Sequence, residues 1–139
     1  MYNNILIPVD PDYMGNFDAL VQLALRLVSD DGTISTLYVN RNYIHNRIAA
    51  HSPECAKDIE RAIVEQLVSR FEQTVPEAHR GKVYSQRGVV HDEILRIARR
   101  TRVDLIIMSP NKRPWEDFFL GSTTRRVVAE ARCSVLVER

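Results

Sequence analysis

Cysteine is scarce in this chain of 139 residues. Cys55 and Cys133, its two thiols, are too few for a disulfide framework or a thiolate metal site. No apolar run approaches the roughly 18 residues that a membrane helix needs. The opening Met1-Tyr2-Asn3-Asn4-Ile5 lacks the basic n-region, long apolar stretch and cleavage site of a secretory signal. No membrane attachment and a cytoplasmic location are therefore expected. Excess charge of one sign is also missing: the formal net charge is +1, which argues against a dedicated nucleic-acid binder.

Several catalytic signatures are absent as well. The chain has no G-x-x-x-x-G-K-[ST] loop, no G-x-G-x-x-G fingerprint, no G-x-S-x-G elbow and no H-E-x-x-H helix. Pro11-Asp12-Tyr13-Met14 stands where a flavodoxin-like phosphate loop would follow the first strand. Gln86-Arg87 stands where a phospho-receiver needs an aspartate ending the third strand. The histidines show no ligand spacing. His91-Asp92-Glu93 begins a helix, where adjacent side chains diverge, so these read as first-turn polar residues.

What is present is globular: 45% apolar and 27% charged residues, enough for one domain with a core of its own. Asn4-Ile5-Leu6-Ile7-Pro8-Val9-Asp10 reads as a buried strand whose acid emerges at the carboxyl edge of a sheet. Phe17, Leu20, Val21, Ala24, Leu27 and Val28 recur at helical spacing, with Asn16 as N-cap and Asp30-Asp31-Gly32 as the stop. Thr33 to Val39 is a second strand, and residues 40–52 read as a loop. Ala56, Ile59, Ile63, Leu67 and Phe71 stripe a helix that should end before Pro76. Lys82 to Arg87 is a polar strand near an edge, and Val90, Ile94, Ile97, Ala98 and Thr101 stripe the next helix. Asp104 to Met108 is a strand, followed by the connection Ser109 to Leu120. Val127, Val128 and Ala131 face inward from a last helix opened by Gly121-Ser122-Thr123-Thr124, and Ser134 to Glu138 is a final strand. Five strands alternating with four helices imply an α/β fold, an open doubly wound parallel sheet covered on both faces.

Ligands in such sheets bind outside the carboxyl ends of the strands, where the strand order reverses. If the first and fourth strands flank that crevice, Asp10, Tyr38-Val39-Asn40 and the connection after Met108 line it. The unpaired N–H groups at Gly121, Ser122 and Thr123 would then suit phosphate oxygens, although plain helix capping explains the same residues. Charge is uneven: residues 1–70 carry six basic and nine acidic side chains, residues 71–139 thirteen and nine. The basic second half suits an anion site, but a solvated helix face explains the same number and is the preferred reading; Arg96, Arg99, Arg100 and Arg102 read as such a face. Trp115, Phe118 and Phe119 read as pinning the long connection to the body rather than stacking a base.

The chain resembles the universal stress protein family over essentially its whole length. The resemblance is carried by the opening Met1 to Asp10, Leu37-Tyr38-Val39, Arg87-Gly88 with Asp92-Glu93-Ile94-Leu95, Asp104 to Met108, Leu120-Gly121-Ser122 and Cys133 to Val137. It implies a Rossmann-like five-stranded sheet of order 3-2-1-4-5 and a homodimer through the last strand, at Val135, Leu136 and Val137. It implies a stress-response or regulatory module that binds ATP with Mg²⁺ or Mn²⁺, with no catalytic residues of its own and at most slow ATP hydrolysis. Carried over by residue, Asp10 would bond the ribose or the metal and Val39 would contact adenine through its backbone. Met108 and Ser109 would border adenine and ribose, Pro8 would shape the pocket floor, and Gly121, Ser122 and Thr123 would hold phosphates, with Asn111 and Lys112 as further phosphate contacts.

One stretch departs from the nucleotide-binding pattern of Gly-x-x-Gly, nine residues, then Gly-Ser/Thr. Ser109 and Lys112 occupy the places of the early glycines, and eight residues separate Lys112 from Gly121. This is similar to a short-loop branch of the family, the F/G-type, whose members use a basic residue in the loop. Two readings follow: an ATP-binding module acting as a dimer, or a nucleotide-free dimeric interaction module that has lost ATP. Its protein partners cannot be named from the sequence.

Overall fold

Strand alternation builds both faces of the sheet in the computed structural model, which describes residues 1–43, 53–110 and 121–139. In the first strand, β1 (Tyr2–Val9), Ile5, Leu6 and Ile7 are all fully buried because successive side chains enter opposite layers. Ile5 and Ile7 join Phe17, Leu20, Val21 and Ala24 of α1 (Phe17–Leu27) and Phe71 of α2 (Pro53–Thr74). Leu6 joins Ile94, Ile97 and Ala98 of α3 (Val90–Arg100) and Val127 of α4 (Ser122–Glu130) on the other side. The remaining strands are β2 (Val28–Asn40), β3 (Arg80–Arg87), β4 (Leu105–Met108) and β5 (Ser134–Val137). All neighbouring strands pair in parallel in the order β3-β2-β1-β4-β5, with β3 and β5 at the edges. Among the described residues there are four α-helices, two on each face, as the alternating pattern predicts.

Three details differ from the sequence reading. Val28 does not close the first helix; its backbone is extended (φ −74, ψ 140), it pairs with Tyr2, and it opens β2. The residue is buried in either assignment, so hydrophobic spacing could not separate them, and its β-branched side chain suits the strand. Asp30-Asp31-Gly32 consequently lie in an irregularity of β2, between the pairs Tyr2 with Val28 and Asn4 with Thr33, rather than ending a helix. Ile59 is 47% exposed although it sits on the apolar stripe of α2. The inward face of α2 runs through Ala56, Glu60, Ile63, Leu67 and Phe71, which leaves Ile59 at its margin. Val128 is 48% exposed because the inward face of α4 runs through Thr124 and Val127. Asn16 does flank α1, but its side chain makes no capping bond.

Asp104 locks the amino ends of the central strands. Its two carboxylate oxygens accept the backbone N–H groups of Asn3 (2.8 Å) and Asn4 (2.9 Å), while the Asn4 side-chain amide donates to the Thr101 carbonyl.

Candidate functional site

The cleft begins where β1 and β4 part. Their ladder pairs Ile5 with Leu105 and Leu6 with Ile106 and goes no further. Pro8 follows two residues later; it has no N–H to offer a neighbour, yet it stays in register with Leu37 of β2. The gap so opened, at the carboxyl ends of β1, β2 and β4, holds about 300 Å³, the lower end of the range for small-molecule sites. Pro8, Asp10, Val39, Met108, Ser109, Gly121, Ser122 and Thr123 all line it. The sequence-derived site residues therefore converge in space. Asn111 and Lys112 lie outside the described residues.

Each wall has a local cause. Asp10 caps the short 3-10 turn Pro11–Asn16: its Oδ1 accepts the Asp12 N–H at 3.0 Å and its carbonyl accepts the Tyr13 N–H at 2.9 Å. The carboxylate is thus oriented by the turn it starts. On the opposite wall, Gly121 is the N-cap of α4 and supplies no side-chain hydrogen bond to the first turn. Its backbone (φ −60, ψ 156) is one that any residue adopts, and among the described residues nothing lies within 4 Å of where a Cβ would stand. Neither its conformation nor packing against the described residues requires glycine there. The bare N-terminus leaves amide groups and the positive end of the helix dipole facing the cleft.

Sequence reasoning missed part of the lining. Asp12, Arg41 and Asn42 come from the turns after β1 and β2, and Ile63, Val90 and Ile94 come from helix stripes read as core. Val90 and Ile94 serve both purposes, packing in the core layer of α3 and lining the cleft. The β1–β2 side of the cleft is acidic. Tyr38 is 7% exposed, and burial first, then Glu60, Asp10 and Asp12, raises its hydroxyl above the usual tyrosine value. Behind that wall Glu60 accepts from Arg87 (Nη2 to Oε1, 2.8 Å) and from the Asn40 amide (2.8 Å). The Arg87 hydrogen bonds hold the Glu60 carboxyl below the ordinary carboxylate range. Arg87 also covers the Tyr43 ring at 3.6 Å, so β3, α2 and the end of β2 are tied together beside the cleft.

The remaining reactive side chains do not assemble elsewhere. Among the described residues no three His, Cys, Asp or Glu side chains are grouped to hold a metal ion. Cys55 is exposed; Cys133 is half-buried, and burial raises its thiol. His91 pairs with Asp92 at 3.2 Å, as first-turn polar residues do. Glu93, by contrast, is buried, with Oε1 3.1 Å from Arg96. No helix among the described residues is long and apolar enough to cross a membrane.

Comparison with known proteins agrees with this architecture. The universal stress protein family model matches residues 1–139. A universal stress protein of Methanothermobacter thermautotrophicus is 25% identical over 151 aligned positions, covering 100% of this chain and 97% of its own. The solved structure of the hypothetical protein MJ0577 superposes with a TM-score of 0.74 at 21% identity, over 99% of this chain and 95% of that one. An Arabidopsis thaliana family member solved with AMP bound gives 0.61 at 15% identity, over 97% and 90%. A universal stress protein solved in complex with cAMP gives 0.61 at 14%, over 99% and 97%. With its fold, its strand order and its whole length matched, this chain belongs to the universal stress protein family.

Proposed function

We propose that this protein is a stress-response module that binds an adenine nucleotide, ATP in its full form, in the cleft between β1 and β4. The observation that carries the reading is the meeting of an oriented carboxylate, Asp10, with a helix start that no side chain caps and whose glycine meets no steric demand from the described residues. A side chain at Gly121 would stand where phosphate oxygens must approach the amides of Ser122 and Thr123. Adenine would lie against Val39 and Met108, with the ribose between Asp10 and Ser109. Family members solved with AMP and with cAMP support a nucleotide as ligand.

Mg²⁺ or Mn²⁺ fits this donor set only together with the nucleotide. Hard divalent cations favour carboxylate and phosphate oxygens, and such ions are commonly held by one or two carboxylates plus substrate phosphates. Asp10 and Asp12 supply the carboxylates; the triphosphate would supply the remaining oxygens. Boiling purified protein and analysing the supernatant by mass spectrometry tests the reading directly. Stoichiometric adenine nucleotide is expected, and nucleotide-free protein that also takes up none when ATP is added would overturn it.

The second reading, an interaction module without nucleotide, draws on Ser109 and Lys112 standing where nucleotide-binding relatives place glycines. In either case we infer a homodimer through β5. That strand is an edge, and Val135, Leu136 and Val137 are only partly buried on it, beside the exposed Val128 of α4.

A further inference from the structure

We propose that the groove between the carboxyl ends of α3 and α4 binds an acidic, leucine-bearing peptide segment of a partner protein. The groove holds about 800 Å³ and lies ahead of β4 and β5, at the end of the sheet opposite the nucleotide cleft. Arg96, Arg99, Arg100, Arg102 and Arg132 line it, against the two carboxylates Asp92 and Glu130. Those carboxylates are engaged outside it, Asp92 with His91 and Glu130 with Arg126. Arg96 is held in place by the buried Glu93. The other four guanidinium groups make no ion pair with any described residue, so the groove keeps a positive surplus.

Arginine at the end of a helix has an ordinary explanation, because Arg99 and Arg100 oppose the negative end of the α3 dipole. Arg102 has none. It follows the helix in a Schellman turn, in which Val103 N–H donates to Ala98 O (2.9 Å) and Arg102 N–H to Arg99 O (3.4 Å). The residue at this position takes left-handed backbone, φ 57 here, and glycine is the residue that suits it. An arginine standing where glycine would be unstrained, and lining the groove, points to a role for the charge itself. Arg132 likewise lies outside both helices.

The floor decides among polyanions. Leu95, Ala98, Val103 and Ala131 give it an apolar base, which matches leucine side chains between acidic ones better than a phosphate backbone.

The test is fluorescence anisotropy with a labelled peptide of glutamate interspersed with leucine. Its glutamine counterpart and an oligothymidine strand serve as comparisons, at low and high salt. Binding of the acidic peptide alone, weakened by salt, is expected. Arg102→Gly should weaken it about tenfold, the scale of one lost charge-assisted bond, while leaving thermal stability equal or higher. Arg99→Ala with Arg132→Ala should abolish it. The proposal is overturned if these variants bind as the parent does, if the acidic peptide does not bind, or if oligothymidine binds as tightly. It is also overturned if Arg102→Gly converts a dimer to monomer, since a second copy would then cover the groove.

Discussion

At the scale of single residues, two glycines carry opposite lessons. Gly121 is free of steric demands from the described residues, so Gly121→Val should still fold, with a melting temperature lowered by a few degrees because valine is a poorer N-cap than glycine. A branched side chain at the mouth of the phosphate site should nevertheless weaken ATP binding more than tenfold, about 1.4 kcal/mol or above, in calorimetry. Gly81 is the reverse case. A Cβ there would collide with Ser35 Oγ and stand 2.8 Å from the Ile34 carbonyl, with backbone that cannot swing away. The contact arises from an irregularity between β2 and β3, where Ile34 faces Arg80 but Thr36 faces Val83, and Ser35 Oγ accepts the Lys82 N–H at 3.0 Å. Gly81→Ala should destabilise the fold by about 1–3 kcal/mol in urea unfolding, as overpacking does, without touching nucleotide affinity in the folded fraction. Asp10 and the Gly121-Ser122-Thr123 run were legible in the sequence because each is short, local and attached to a strand or helix end. The role of Gly81 was not, since it depends on a register between two strands that are distant in sequence.

At the scale of elements, the ion pair between Arg87 of β3 and Glu60 of α2 closes the edge of the sheet beside the cleft. The Glu60 carboxyl is held below its ordinary range, so the pair contributes stability above the unfolded carboxylate value. That contribution disappears as pH falls through the lowered one. Arg87 is 45% exposed and water screens it, so the contribution is about 1 kcal/mol or less. Glu60→Gln should lower the melting temperature slightly at neutral pH, and the gap from the parent should shrink as the pH approaches the acid range. All five strands and four helices could be read from periodicity, and the strand order followed from the family resemblance. The misassigned residues have two causes: Val28 sits where a helix gives way to a strand, and Ile59 and Val128 lie at the margins of their helices' inward faces. Burial pattern there no longer follows the period of the element. The basic groove was legible only in part: Arg96, Arg99, Arg100 and Arg102 stand out as one basic face, but Arg132 and the apolar base join them only through the packing of α3 against the end of α4, two stretches distant in sequence.

For the whole molecule, the parallel sheet leaves β5 as an edge that a two-fold partner would cover. Leu136→Pro removes a ladder donor from that strand and should give monomer or insoluble protein. Light scattering of the parent at roughly tens of micromolar should show a dimer, and a monomer there would contradict the assembly. Under these two proposals the ends of the sheet would have separate tasks, nucleotide at the carboxyl end and an acidic segment at the amino end; α3 and α4 line both clefts. The central claim is that the carboxyl-end cleft holds adenine nucleotide by its phosphates. Titration calorimetry with ATP, ADP and AMP in the presence of Mg²⁺ tests it most directly. Affinity should fall in the order ATP, ADP, AMP, because each phosphate removed takes oxygens away from the α4 amides and the cation. Equal weak binding of all three, or none tighter than about millimolar, would contradict the account.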